Sequence, residues 1–135
     1  MTACKILIVD DEQLIRMALA RILSSSGFEV CIACDAIGAV SAAVKERPNL
    51  ILLDLGLPAG NGMVVLQRLR NLPSTSVTPV IVITGGFVDA VQEKALHEFG
   101  CETILTKPVS AEQLLAAVRK ELGDDIAPDA IHGAV

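Results

Sequence analysis

Residues 5–12 read Lys-Ile-Leu-Ile-Val-Asp-Asp-Glu. A short aliphatic run that stops at once in carboxylates has no helical spacing of apolar positions, and it suits a strand buried on both faces. Leu50–Leu53 and Val80–Ile83 have the same form. Strands of this kind are typical of parallel sheets sandwiched between helices, because crossovers between parallel strands need helical connections.

The segments between these runs supply those helices. Leu14, Ile15, Ala18, Leu19, Ile22 and Leu23 recur at helical spacing, with Gly27 placed as a C-cap. Glu29–Ala33 reads as a second strand, and Asp35 as the N-cap of a helix ending before Pro48. Leu50–Asp54 leads into a loop holding Gly56, Pro58, Gly60 and Gly62. Val65, Leu66 and Leu69 then mark a third helix, and Val88, Val91, Ala95 and Phe99 a fourth, closed by Gly100. A fifth strand spans about 102–106, and Ser110 and Gln113 have capping-box spacing ahead of a last helix bearing Leu114, Leu115, Val118 and Leu122. The expected fold is α/β: a doubly wound, five-stranded parallel sheet of order 2-1-3-4-5, flavodoxin-like, over residues 1–122. Residues 123–135 lack periodicity and read as a flexible tail.

The 135 residues fit one domain. The core must be aliphatic, since Trp and Tyr are absent and three Phe are present. A formal charge of −5 with no basic cluster argues against direct nucleic-acid binding. No apolar run approaches the ~18 residues of a membrane span, and the early turn to polar residues at Asp10 argues against a signal peptide. A soluble, cytoplasmic protein is expected. The cysteines Cys4, Cys31, Cys34 and Cys101 read as buried small hydrophobes; Cys31 of the C-x-x-C falls inside a strand, not at the helix N-terminus that would activate a redox thiol.

Function is sought beyond the carboxyl ends of the strands, at the switch between strands one and three. Asp10 and Asp11 follow strand one, Asp54 ends strand three, Thr84 ends strand four and Lys107 follows strand five. Singly, each has an ordinary explanation: an Asp caps a helix, a Thr turns, a Lys is solvated. Together they place three carboxylates at one sheet edge, where mutual repulsion of several kcal/mol per pair calls for a cation among them or a proton on one of them. Mg²⁺, which keeps waters and accepts phosphate oxygens, suits the site best, and Lys107 with the Thr84 hydroxyl completes a pocket for a phosphate-sized anion.

In order, Lys5-Ile-Leu-Ile-Val-Asp-Asp-Glu12, Leu52-Leu-Asp54-Leu-Gly-Leu-Pro58 with Gly62, Pro79-Val-Ile-Val-Ile-Thr84-Gly and Thr106-Lys107-Pro108 resemble the receiver domain of response regulators, from residue 5 to about 122. The resemblance implies that Asp54 takes a phosphoryl group from a sensor histidine kinase or histidine phosphotransfer protein. It further implies that Asp11, Asp54 and the Gly56 carbonyl hold Mg²⁺, with Asp10 acting through a water. Lys107 would pair with the phosphoryl oxygens, Thr84 would bond to the phosphate, and the Lys107–Pro108 bond would be cis. The protein would be no enzyme beyond its own phosphorylation and dephosphorylation, and would signal through the face of the fourth helix, fifth strand and fifth helix. The family usually has Tyr or Phe three residues before the Lys; here that position is Ile104, so switching is expected to run through Gly85, Gly86 and the fourth helix instead. Gly56 and Gly86 fall where the family tunes phosphoryl loss. A relay role, or a piece of a larger regulator, fits the same residues. A haloacid-dehalogenase-like phosphatase would need a second Asp where Gly56 stands, and a flavodoxin-like carrier a hydroxyl-rich loop where Asp10-Asp11-Glu12 stands.

Overall fold

The computed structural model describes residues 3–123; the expected tail from 124 onward lies outside them. Five strands, β1 (Lys5–Val9), β2 (Glu29–Ala33), β3 (Leu50–Asp54), β4 (Val80–Thr84) and β5 (Thr103–Thr106), alternate with five helices. These are α1 (Gln13–Ser25), α2 (Ala36–Glu46), α3 (Asn61–Arg70), α4 (Ala90–Glu98) and α5 (Ala111–Leu122). All strand pairs are parallel, in the order β2-β1-β3-β4-β5.

Strand alternation divides the core in two. Leu7, Val9, Ile51, Leu53, Val80 and Val82 face α2, α3 and Leu96 of α4. Ile6, Ile8, Leu50, Leu52, Ile81 and Ile83 face α1 and α5. With both faces covered, every residue of β3 and β4 is buried, as the uninterrupted aliphatic runs require.

The helix ends follow local chemistry. Asp35 caps α2 by accepting from the Gly38 N–H, and Ser110 with Gln113 closes a reciprocal capping box on α5. Asp89 with Gln92 makes a second box on α4, so that helix begins at Ala90 and not at Val88. Leu96 is its buried residue, whereas Val91, one of the apolar residues that mark the helix, is 80% exposed. Gly62 is no loop residue either: it lies in the first turn of α3, where an added Cβ would stand 2.8 Å from the Asp54 carbonyl oxygen and 2.8 Å from the Leu55 Cα. Only glycine lets α3 sit this close to the end of β3.

Arg70 at the end of α3 fastens the opposite edge. Its guanidinium donates to the carbonyls of Phe99, Thr75 and Thr78 at 2.6, 3.1 and 2.7 Å. The cysteines depart from their expected role, since Cys101 alone is buried, with burial pushing its thiol up to about 11. Cys4 and Cys31 are half-buried and Cys34 is exposed, and no disulfide joins any of them.

Candidate functional site

The sheet ladder continues one step past several strands and fixes where the polar side chains stand. The Asp10 N–H donates to the Ala33 carbonyl at 3.2 Å, Leu55 to Ile83 at 2.9 Å and Lys107 to Thr84 at 2.8 Å. Asp10, Asp54, Thr84 and Lys107 are thereby brought together at the carboxyl edge. The Lys107–Pro108 bond is cis, as expected.

Lys107 is the centre of the cluster. Its Nζ lies 3.0 Å from Asp10 Oδ2, 3.5 Å from Asp54 Oδ2 and 3.8 Å from Glu12 Oε1. Asp10 and Asp54 are almost fully buried, so their pairing with the ammonium is screened far less than that of exposed Glu12. Burial works against the lysine's charge, but the hydrogen bond and charge of Asp10, with the charges of Asp54 and Glu12, outweigh it and hold its pKa above the usual value.

The two buried carboxylates differ in what else they do. Asp10 is used on both carboxylate oxygens, Oδ1 accepting from the Glu12 N–H at 2.9 Å and Oδ2 facing Lys107, while Arg16 donates to its backbone carbonyl at 2.7 Å. Asp54 Oδ1 accepts from the Gly56 N–H at 2.8 Å, which fixes the carboxylate's rotation. Burial pushes the Asp54 pKa above its ordinary value, and the Asp10 and Asp11 charges act the same way against the Gly56 N–H and Lys107.

Asp54, Gly56, Thr84 and Lys107 line one cleft of about 400 Å³, with Glu12, Gln92 and Phe87 also on its walls. Thr84 Oγ1 accepts from the Gly86 N–H at 3.1 Å. Asp11 is exposed. Its carboxylate oxygen and those of Asp10 and Glu12 lie within 4.8 Å of one another. Asp10 and Asp11 do not cap α1, whose N-cap is Glu12 without a side-chain cap bond, so the ordinary explanation for the pair does not apply. Glu12 and Arg16 are not among the site residues expected from sequence. Glu12 carried a signal, standing third in an acidic run; Arg16, one charge on a helix, carried none.

The family model for the response regulator receiver domain matches residues 6–119. The chain is 33% identical over 118 residues to sporulation initiation phosphotransferase F of Bacillus subtilis, covering 87% of this chain and 93% of that one. It is 38% identical over 117 residues to a DNA-binding dual master transcriptional regulator of Synechocystis, of which it spans about half, 47%. Among solved structures, the receiver domain of a sensor histidine kinase from Pseudomonas aeruginosa, with a magnesium ion coordinated in its active-site cleft, superposes with a TM-score of 0.80 at 26% identity, covering 91% of this chain and all of that one. A family match from the first strand to the last helix, on the expected strand order, means that the chain belongs to the receiver-domain family of response regulators in two-component signalling.

Proposed function

We propose that Asp54 is a phosphoacceptor whose modification changes the shape of the domain and so its binding to a protein partner. The observation that supports this most is the position of Lys107 between Asp10 and Asp54. The ammonium that balances two buried carboxylates can pair with phosphoryl oxygens as they arrive, at no cost in reorganisation. Phosphoryl transfer asks the protein for positioning and charge balance more than for covalent help. Here the Gly56 N–H orients the acceptor, Lys107 balances charge, and Thr84 lines the same cleft, where its hydroxyl would meet a bound phosphate.

The donor is a phosphohistidine on a sensor kinase or phosphotransfer protein. A lone pair on an Asp54 carboxylate oxygen forms the new P–O bond while the P–N bond breaks. The released electron pair stays on the ring nitrogen, and with the other ring nitrogen protonated the donor leaves as neutral imidazole.

The acidic cluster fits Mg²⁺, since Asp10, Asp11 and Glu12 offer an all-oxygen donor set at close quarters. Asp11, Asp54 and the Gly56 carbonyl would hold the ion, with Asp10 acting through a water because Lys107 and the Glu12 N–H already engage both its oxygens. The bound ion would neutralise charge on the phosphoryl oxygens.

Receiver domains are signalling domains; the reactions assigned to this chain are the phosphorylation and dephosphorylation of its own Asp54. The partner would meet the face of α4, β5 and α5, in the cytoplasm and without nucleic acid. No helix among the described residues is long and apolar enough to cross a membrane. Relay of the phosphoryl group to a second protein is favoured by one observation: the Bacillus phosphotransferase is matched over 93% of its length.

The test is intact-mass measurement after incubation with a small phosphoryl donor and Mg²⁺. One phosphoryl group should appear, and Asp54→Asn should abolish it. Equal labelling of the variant would remove Asp54 from the reading.

A further inference from the structure

Phe87 is placed unlike the other two phenylalanines. Phe28 is buried and Phe99 packs against the core, but Phe87 is 88% exposed and belongs to neither core cluster. It follows the exposed Gly85-Gly86 pair and lines the cleft that contains Asp54, Thr84 and Lys107. The ring contributes no packing to the fold, yet it stands at the lip of a polar cleft.

Geometry gives that position a use. Asp54 is 3% exposed, so a donor must lower its phosphorus into the cleft to meet the carboxylate. In an in-line displacement the attacking and leaving atoms lie on opposite sides of phosphorus. With Asp54 buried, the leaving group lies toward the mouth of the cleft, whose wall includes the exposed Phe87. A phosphohistidine presents a flat aromatic ring there, and aromatic pairs attract beyond simple burial through their complementary faces and edges.

We propose that Phe87 contacts the leaving imidazole of the phosphohistidine donor and selects for aromatic N-phosphoryl donors. This rests on the reading of Asp54 as phosphoacceptor. The contact is made to the donor alone, so it acts on which donor is used and not on the acceptor's own chemistry.

The experiment compares monophosphoimidazole with phosphoramidate, two donors that both break a P–N bond but of which the first alone carries a ring. Rates of Asp54 labelling with Mg²⁺ are followed by intact mass for the parent chain, Phe87→Ala and Phe87→Tyr. The ratio of the imidazole rate to the amidate rate should fall about threefold to tenfold in Phe87→Ala and be restored in Phe87→Tyr. A ratio unchanged in Phe87→Ala overturns the proposal, whether both rates drop together, as a loop-shaping role would make them, or neither moves. Absence of labelling by either donor in the parent chain overturns the phosphoacceptor reading itself, and the proposal with it. Because Phe87 is exposed, far-UV circular dichroism should show the variants folded as the parent is.

Discussion

Replacing Gly62 by Ala puts a methyl group where the structure has backbone. The new Cβ would lie 2.8 Å from the Asp54 carbonyl oxygen, 2.8 Å from the Leu55 Cα and 2.9 Å from the Leu55 carbonyl oxygen, against 3.4 Å or more for ordinary contact. None of these atoms is the tip of a flexible side chain, so α3 must lift by roughly half an ångström or the turn after Asp54 must move. Overpacking of this kind costs about 1–3 kcal/mol. Alanine returns at most about 1 kcal/mol through helix propensity, and less in a first turn. The net loss should be about 1–2 kcal/mol, or a Tm lower by about 3–10 °C for a domain of this size. Gly86→Ala is the control, as an added Cβ there meets nothing within 4 Å; its stability should stay within about 0.5 kcal/mol of the parent. Without Trp or Tyr, thermal unfolding is best followed by circular dichroism at helical wavelengths. A Gly62→Ala protein melting at or above the parent would refute the argument that this glycine is required by the seating of α3 on β3.

Two further outcomes follow from the charges. Because burial raises the Asp54 pKa above 3.8, the folded state holds that proton more tightly than the unfolded chain does. Ionisation therefore costs stability, a cost absent below the ordinary value and complete above the folded one. Asp54→Asn should accordingly be more stable than the parent at neutral pH in denaturant titrations, with the gain vanishing at strongly acidic pH; a gain independent of pH would contradict this. Lys107→Met leaves Asp10 and Asp54 buried without their cation. It should cost about 1–3 kcal/mol at neutral pH, recover as the pH falls, and move the Asp54 carboxyl titration, read by carbon NMR, further up; a downward move would show that Lys107 does not act on Asp54 as described.

The strand order and the gathering of Asp10, Asp54, Thr84 and Lys107 at one edge were legible for one reason: both depend on local pattern. Aliphatic runs marked β1, β3 and β4, and the polar residue at each run's end marked the edge where a parallel sheet gathers such ends. What escaped was tertiary. The close approach at Gly62 involves α3 and the β3 backbone, and in sequence it is indistinguishable from a turn glycine. Arg70 reaches carbonyls up to 29 residues away, and no local pattern announces that. The apolar spacing through Val88 and Val91 marks a helix but not its first residue, which the Asp89 and Gln92 pair, at the same capping-box spacing as Ser110 and Gln113, places one residue after Asp89. Cys34 shows the limit of residue-type statistics: cysteines are commonly buried, and this one follows an edge strand and is exposed.

The Arg70 guanidinium gives α4 the mechanics of a lever. It grips the Phe99 carbonyl just past the helix's last turn, and Leu96, the helix's buried residue, lies in the same half. The other end continues into Val88, Phe87 and two exposed glycines that lead to Thr84. Nine residues at 1.5 Å each make an arm of about 13 Å. With its fulcrum near Phe99, a displacement of about 2 Å at the Ala90 end tilts the whole arm by roughly 9°, while the far end barely moves. A pull on Thr84 that freed the Gly86 N–H would act on the long end of that arm, where a given force exerts the greatest turning moment.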